Sequence, residues 1–147
     1  MLIQNLLESK SISGVLTVTG KTPAADAVST MNEHHVGALL VVDGKKQLLG
    51  ILSERDILTH FTACAEGVLV EKIMTPRSQL IIGHREDSMQ YAMQGITVNR
   101  IRHLPILEGD MVIGLISIGD VLKAHLQSVE TENKMLEDYI NGASLVI

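Results

Sequence analysis

The chain has 147 residues, enough for one ordinary domain that buries about two-thirds of the surface its unfolded form exposes. At 46% hydrophobic and 20% charged it is too apolar for a disordered chain, and one Phe, two Tyr and no Trp leave an aliphatic core with few rings for stacking bases. Twelve basic against seventeen acidic residues give a net charge of −5, the wrong sign for a protein that binds phosphate backbones, which excludes nucleic acid as its main partner.

Leu2, Ile3, Leu6 and Leu7 have helical spacing and predict a short amphipathic helix over residues 1–9. Val15 to Val18 is the first strand, and Thr22-Pro23 opens a helix with Ala24, Ala27, Val28 and Met31 on one face. Val36 to Val42 is an unbroken apolar run, as in a strand buried on both faces, and Asp43-Gly44 turns it into a second strand, Gln47 to Leu52. A helix starts near Ser53 and carries Ile57, Leu58 and Phe61. The order is strand, helix, strand, strand, helix.

That order repeats. Ala27, Val28 and Met31 return 65 positions later as Ala92, Met93 and Ile96, and Val36, Leu39, Val41 and Val42 return as Ile101, Leu104, Ile106 and Leu107. Past the hairpin signal, now Glu108-Gly109, the offset is 64: Gly50-Ile51-Leu52-Ser53 and Asp56 match Gly114-Leu115-Ile116-Ser117 and Asp120. One residue is lost inside a turn, where deletions are tolerated. Two units, 10–66 and 67–126, are therefore expected to pack through their sheets as a pseudo-twofold pair, with Glu66 to Pro76 as the linker. From Val121 a helix is expected through Leu126, Val129, Leu136 and Ile140 to a cap at Asn141-Gly142, with residues 127–147 as a tail. Its spacing of sevens suits a partner helix, and equally a helix docked on its own domain.

The most informative motif is Ser-x-x-Asp after a Gly and two aliphatics, at Ser53/Asp56 and again at Ser117/Asp120. Such a pair caps a helix. A helix start emerging from a buried strand is also where polar and anionic ligands bind, and a carboxylate held there accepts hydrogen bonds from adjacent ribose hydroxyls. Arg55, Arg102 and His103 are the candidate phosphate ligands. Arg102, at the mouth of a buried strand, asks for an anion, which is either a ligand or an acid of this chain. Phosphate-loop, dinucleotide, nucleophile-elbow and zinc-protease motifs are all missing from the sequence. His60 and Cys64 share a helix face, but two ligands do not make a metal site, and Cys64 reads more simply as a small buried hydrophobe. The longest uncharged stretches, such as Met111 to Gly119, are about half a membrane span, and the N-terminus has no basic region before an apolar one. With a single cysteine, the expectation is a cytoplasmic protein.

The tandem units resemble a pair of cystathionine β-synthase (CBS) domains over about residues 10–126. The resemblance rests on Val36 to Asp43, Gly50-Ile51-Leu52-Ser53-Glu54-Arg55-Asp56-Ile57, Met74-Thr75-Pro76 and Arg100-Ile101-Arg102-His103-Leu104-Pro105-Ile106. It implies a mixed α/β fold of two β-α-β-β-α units with a short N-terminal and a long C-terminal helix. It further implies a non-catalytic sensor that binds AMP, ADP, ATP, NAD or S-adenosylmethionine in clefts between the units, forms homodimers and signals to an effector protein. By position, one cleft would take Leu16 and Thr17 near the base, Val36 and Gly37 behind it, and Ser117 with Asp120 on the ribose. The other would take Leu80 and Ile81, Ile101 and Arg102, and Ser53 with Asp56, with Arg55 and Arg102 on phosphate. Ile82-Gly83-His84-Arg85 departs from the Thr-Val-x-Pro common at that point in the family. The alternatives are an interaction module whose acids only cap helices, and a metal or redox sensor built on Cys64 and His60.

Overall fold

A computed structural model describes residues 1–9 and 16–146. Val15, expected to open the first strand, lies outside the described residues. The elements are α1 (Ile3–Ser9), β1 (Thr17–Thr19), α2 (Ala24–His34), β2 (Ala38–Val42), β3 (Leu48–Ser53), α3 (Glu54–Thr59), α4 (Phe61–Ala65), α5 (Val70–Ile73), β4 (Thr75–Pro76), α6 (Met89–Val98), β5 (His103–Glu108), β6 (Met111–Ser117) and α7 (Ile118–Val146), with a 3-10 turn at Arg77–Gln79.

Unit 1 is a four-stranded sheet in the order β1-β2-β3-β4, with β1 parallel to β2 and the other pairs antiparallel. Unit 2 has the β5-β6 hairpin plus one parallel bridge, Gly83 to Ile106. The internal repeat holds at the level of single hydrogen bonds. Val18 faces Val41 as Gly83 faces Ile106, at the same offset of 65. Both hairpins slip register at the same place, between Val41 and Val42 and between Ile106 and Leu107. His35 and Arg100, which close α2 and α6, share the left-handed φ of 53°.

The first strand of unit 2 shrinks to a bridge for a local reason. In unit 1 the Leu40 N–H donates to the Leu16 carbonyl at 3.2 Å. Its counterpart, Pro105, has no N–H to donate.

Residues 66–76, expected as a linker, instead complete unit 1. Val70 and Ile73 are buried in its helix-side core, and Thr75 pairs with Ile51. The Lys21 ammonium donates to Glu71 at 2.8 Å, and that hydrogen bond holds the half-buried Glu71 carboxyl below its usual range. The N-terminal helix does the same for unit 2. The Val70 N–H bonds to the Thr22 carbonyl and the Glu71 N–H to Gly20, while the Ile3 N–H bonds to Asp87 and the Gln4 N–H to Arg85. Residues 1–7 are thus the counterpart of 68–74 at an offset of 67, each segment closing the unit that precedes or follows it across the chain. Ile3 and Leu6 are buried in the unit 2 core with Leu104, Ile106 and Ile116.

Gly50 and Gly114 let these segments approach their sheets. A Cβ on Gly50 would run into the Thr75 carbonyl, and one on Gly114 would stand 2.5 Å from a terminal methyl of Leu7. Backbone cannot yield as a leucine tip can. Gly50→Ala is expected to destabilise by about 2–3 kcal/mol and Gly114→Ala by about 1 kcal/mol in urea unfolding, within the range for overpacked sites; equal losses would contradict this contrast.

The two hairpins meet at their tips. The Leu48 N–H donates to the Asp110 carbonyl at 3.3 Å and the Val112 N–H to Lys46 at 3.4 Å, related bonds across the pseudo-twofold axis. Between the sheets Leu40, Leu48, Ile51 and Leu107 form a third buried cluster, joined by Leu80 and Ile82. Among the described residues every buried side chain is apolar.

Two helix boundaries differ from expectation. The helix after Ser53 breaks at His60, whose backbone leaves the helical region (φ −114°, ψ 31°) while its ring Nδ1 lies 3.0 Å from the Asp56 carbonyl, so α3 and α4 replace one helix. α7 runs through Asn141 and Gly142 to Val146, because a glycine ends a helix only where the backbone turns left-handed, and Gly142 does not. Among the described residues no helix is long and apolar enough to cross a membrane.

Candidate functional site

Both Ser-x-x-Asp motifs sit at a strand end that becomes a helix start. Ser53 caps α3: the Asp56 N–H donates to Ser53 Oγ at 3.4 Å, and the Ser53 N–H donates back to Asp56 Oδ2 at 2.9 Å. Ser117 and Asp120 repeat this, at 3.1 and 2.8 Å. Each turn is tied to the strand beside it, Glu54 N–H to the Gly37 carbonyl at 3.1 Å and Ile118 N–H to Arg102 at 2.8 Å.

Asp56 makes two further bonds. It accepts from Ser53 Oγ at 3.0 Å on Oδ2 and from Thr75 Oγ1 at 2.9 Å on Oδ1. Nothing in the sequence around Met74-Thr75-Pro76 marks Thr75 as a partner of Asp56, because the two are 19 residues apart and meet only through the β3–β4 pairing. A carboxylate has about four acceptor positions. Three are occupied, so a sugar diol reaching Asp56 must displace Thr75 or share one oxygen.

Across the units, a Cβ on Gly37 would lie 3.8 Å from His103 Cε1 and 3.2 Å from Glu54 Oε1. His103 is in turn the strand partner of Ser117. Gly37 of unit 1 therefore shares one neighbourhood with His103, Ser117 and Asp120 of unit 2. Leu16 and Val36 line the edge of the unit 1 core, half-buried, and Thr17 is exposed at the start of β1. Ile81 and Ile101 pack on the unit 2 core, while Leu80 sits between the sheets. The bridge at Gly83 makes Ile81 and Ile82 the counterparts of Leu16 and Thr17, one residue on from the expected Leu80 and Ile81.

Arg102 is exposed, not set against buried strand, because β5 begins one residue after it. Arg55 is exposed on α3. Among the described residues neither forms an ion pair with a carboxylate, which leaves both guanidinium groups open to an anion. Cys64 is buried in the unit 1 core and His60 Nδ1 lies 3.0 Å from the Asp56 carbonyl. Among the described residues no three His, Cys, Asp or Glu side chains stand together as metal ligands.

The CBS domain family matches this chain twice, over residues 10–63 and 70–127, once for each repeat. The chain belongs to the CBS-domain family. Its CBS pair is 38% identical over 152 residues to the mitochondrial CBS domain-containing protein CBSX3 of Arabidopsis thaliana, covering 92% of this chain and 74% of that protein. Among solved structures, a putative signal-transduction protein with CBS domains from Burkholderia ambifaria superposes with a TM-score of 0.78 at 36% identity, covering 86% of this chain and 95% of the other. CBSX2, crystallised in complex with AMP, superposes with a TM-score of 0.69 at 25% identity, covering 77% of this chain and 88% of its own.

Proposed function

We propose that this CBS pair is a non-catalytic sensor that binds an adenosine nucleotide in the cleft between its units. The observation that carries the reading is the approach of Gly37 to His103, which puts a glycine-opened strand start of unit 1 beside the Ser117/Asp120 turn of unit 2. Half-buried Leu16 and Val36 supply apolar surface for a base, Asp120 at a helix start supplies an acceptor for ribose hydroxyls, and exposed Arg102 and Arg55 supply donors for phosphate. AMP bound to the similar CBSX2 supports this ligand class. Because such a ligand touches both units, it favours one arrangement of the pair over others, and that differential affinity is the signal passed to an effector protein.

Thermal unfolding tests the ligand class. At about a hundred times its dissociation constant, a nucleotide stabilises the folded state by about 2.7 kcal/mol and raises the melting temperature by roughly 5–10 °C. AMP, ADP, ATP, NAD and S-adenosylmethionine are compared, and at least one is expected to produce that rise. If none moves the transition, the acids serve only as helix caps.

A further inference from the structure

The second CBS match ends at residue 127, yet α7 continues to Val146. At 1.5 Å per residue its 29 residues extend about 43 Å. One face, carrying Val121, Ala124 and half-buried Ser128, docks on unit 2. Beyond it the helix stands clear of its own domain, since every residue from Val129 through Asn141 is exposed.

A second face lies about 130° round the helix from the first. It carries Leu122, Leu126, Val129, Asn133, Leu136 and Ile140, and its five apolar side chains are 39–62% exposed. The spacing alternates four and three, which places Leu122, Val129 and Leu136 at one heptad core position and Leu126, Asn133 and Ile140 at the other.

We propose that this face pairs with the same helix of a second copy of the chain, parallel and in register, as a short two-stranded coiled coil. Asn133 argues for that occupant. An amide in an apolar seam must find a partner, and only parallel, in-register pairing sets Asn133 against Asn133, where the donor of one meets the acceptor of the other. An antiparallel pair sets it against an aliphatic side chain. Charge argues against a lipid surface, because Glu130, Glu132, Glu137 and Asp138 outnumber Lys134 and would be repelled by anionic headgroups. Across the seam Glu132 faces Glu137 of the other copy, so salt should tighten the dimer.

The test uses the full chain without nucleotide. In a Cys64→Ser background, Leu136→Cys should form disulfide-linked dimers on mild oxidation, while Lys134→Cys, on the outer side of the helix, should not. Both positions are exposed in the single chain, so neither change threatens its folding. Val129→Asp combined with Leu136→Asp should raise the self-association constant Kd at least tenfold in sedimentation equilibrium, with the melting of the CBS units unchanged. No cross-link at position 136, equal cross-linking at 134, an unchanged Kd, or preferred linkage between an Asn133→Cys chain and a Leu136→Cys chain would each overturn the proposal. So would binding of a monomeric wild-type chain to phosphatidylserine vesicles.

Discussion

Ile3→Ala lowers the unfolding free energy by about 2–5 kcal/mol, a loss otherwise reserved for the centre of a core. Here Ile3 is 0% exposed and its N–H is bonded to the Asp87 carbonyl at 2.8 Å, locking it between α6 and the β5-β6 hairpin. Its structural counterpart Val70 is also 0% exposed, so Val70→Ala should weaken unit 1 through the same kind of cavity. Urea unfolding followed by circular dichroism measures both. A loss below about 0.5 kcal/mol for Ile3→Ala, the level of an ordinary surface change, would mean that residues 1–7 are not part of unit 2.

The exchange of segments explains what the sequence displayed and what it hid. The β-α-β-β-α repeat was legible because Ala27/Ala92, Leu39/Leu104 and Asp56/Asp120 recur at nearly fixed offset, and the lost residue falls in the hairpin turn where the two tips bond. The N-terminal segment is hard to recognise as a repeat. Its match, Leu2-Ile3 with Leu69-Val70 and Leu6-Leu7 with Ile73-Met74, runs at a different offset, and the contact it makes spans most of the chain. The short first strand of unit 2 was foreshadowed by Ile82 to Arg85, but its cause, the missing donor at Pro105, lies on the neighbouring strand.

At the candidate site the local half was legible and the non-local half was not. The Ser53/Asp56 and Ser117/Asp120 caps follow from residue type and spacing alone. That Gly37 meets the His103 ring, that Thr75 occupies Asp56, and that Arg102 faces solvent depend on how two sheets stack, which no local pattern records.

In the proposed site a carboxylate of one unit holds the sugar of a nucleotide lined by the other. Hydrogen bonds to a charged acceptor contribute about 1.5–3 kcal/mol each, so losing the ribose contact weakens binding at least about tenfold. Asp120→Ala and Asp56→Ala also break the reciprocal half of each capping box, costing about 1 kcal/mol of stability apiece, so affinity must be read directly and not from melting alone. The decisive measurement is calorimetric titration of the tightest adenosine nucleotide into the wild-type chain, Asp120→Ala, Asp56→Ala and the double variant. Wild-type heat that falls at least tenfold in affinity with Asp120→Ala and disappears in the double variant is the predicted result; an isotherm that stays the same in all four proteins would contradict the account.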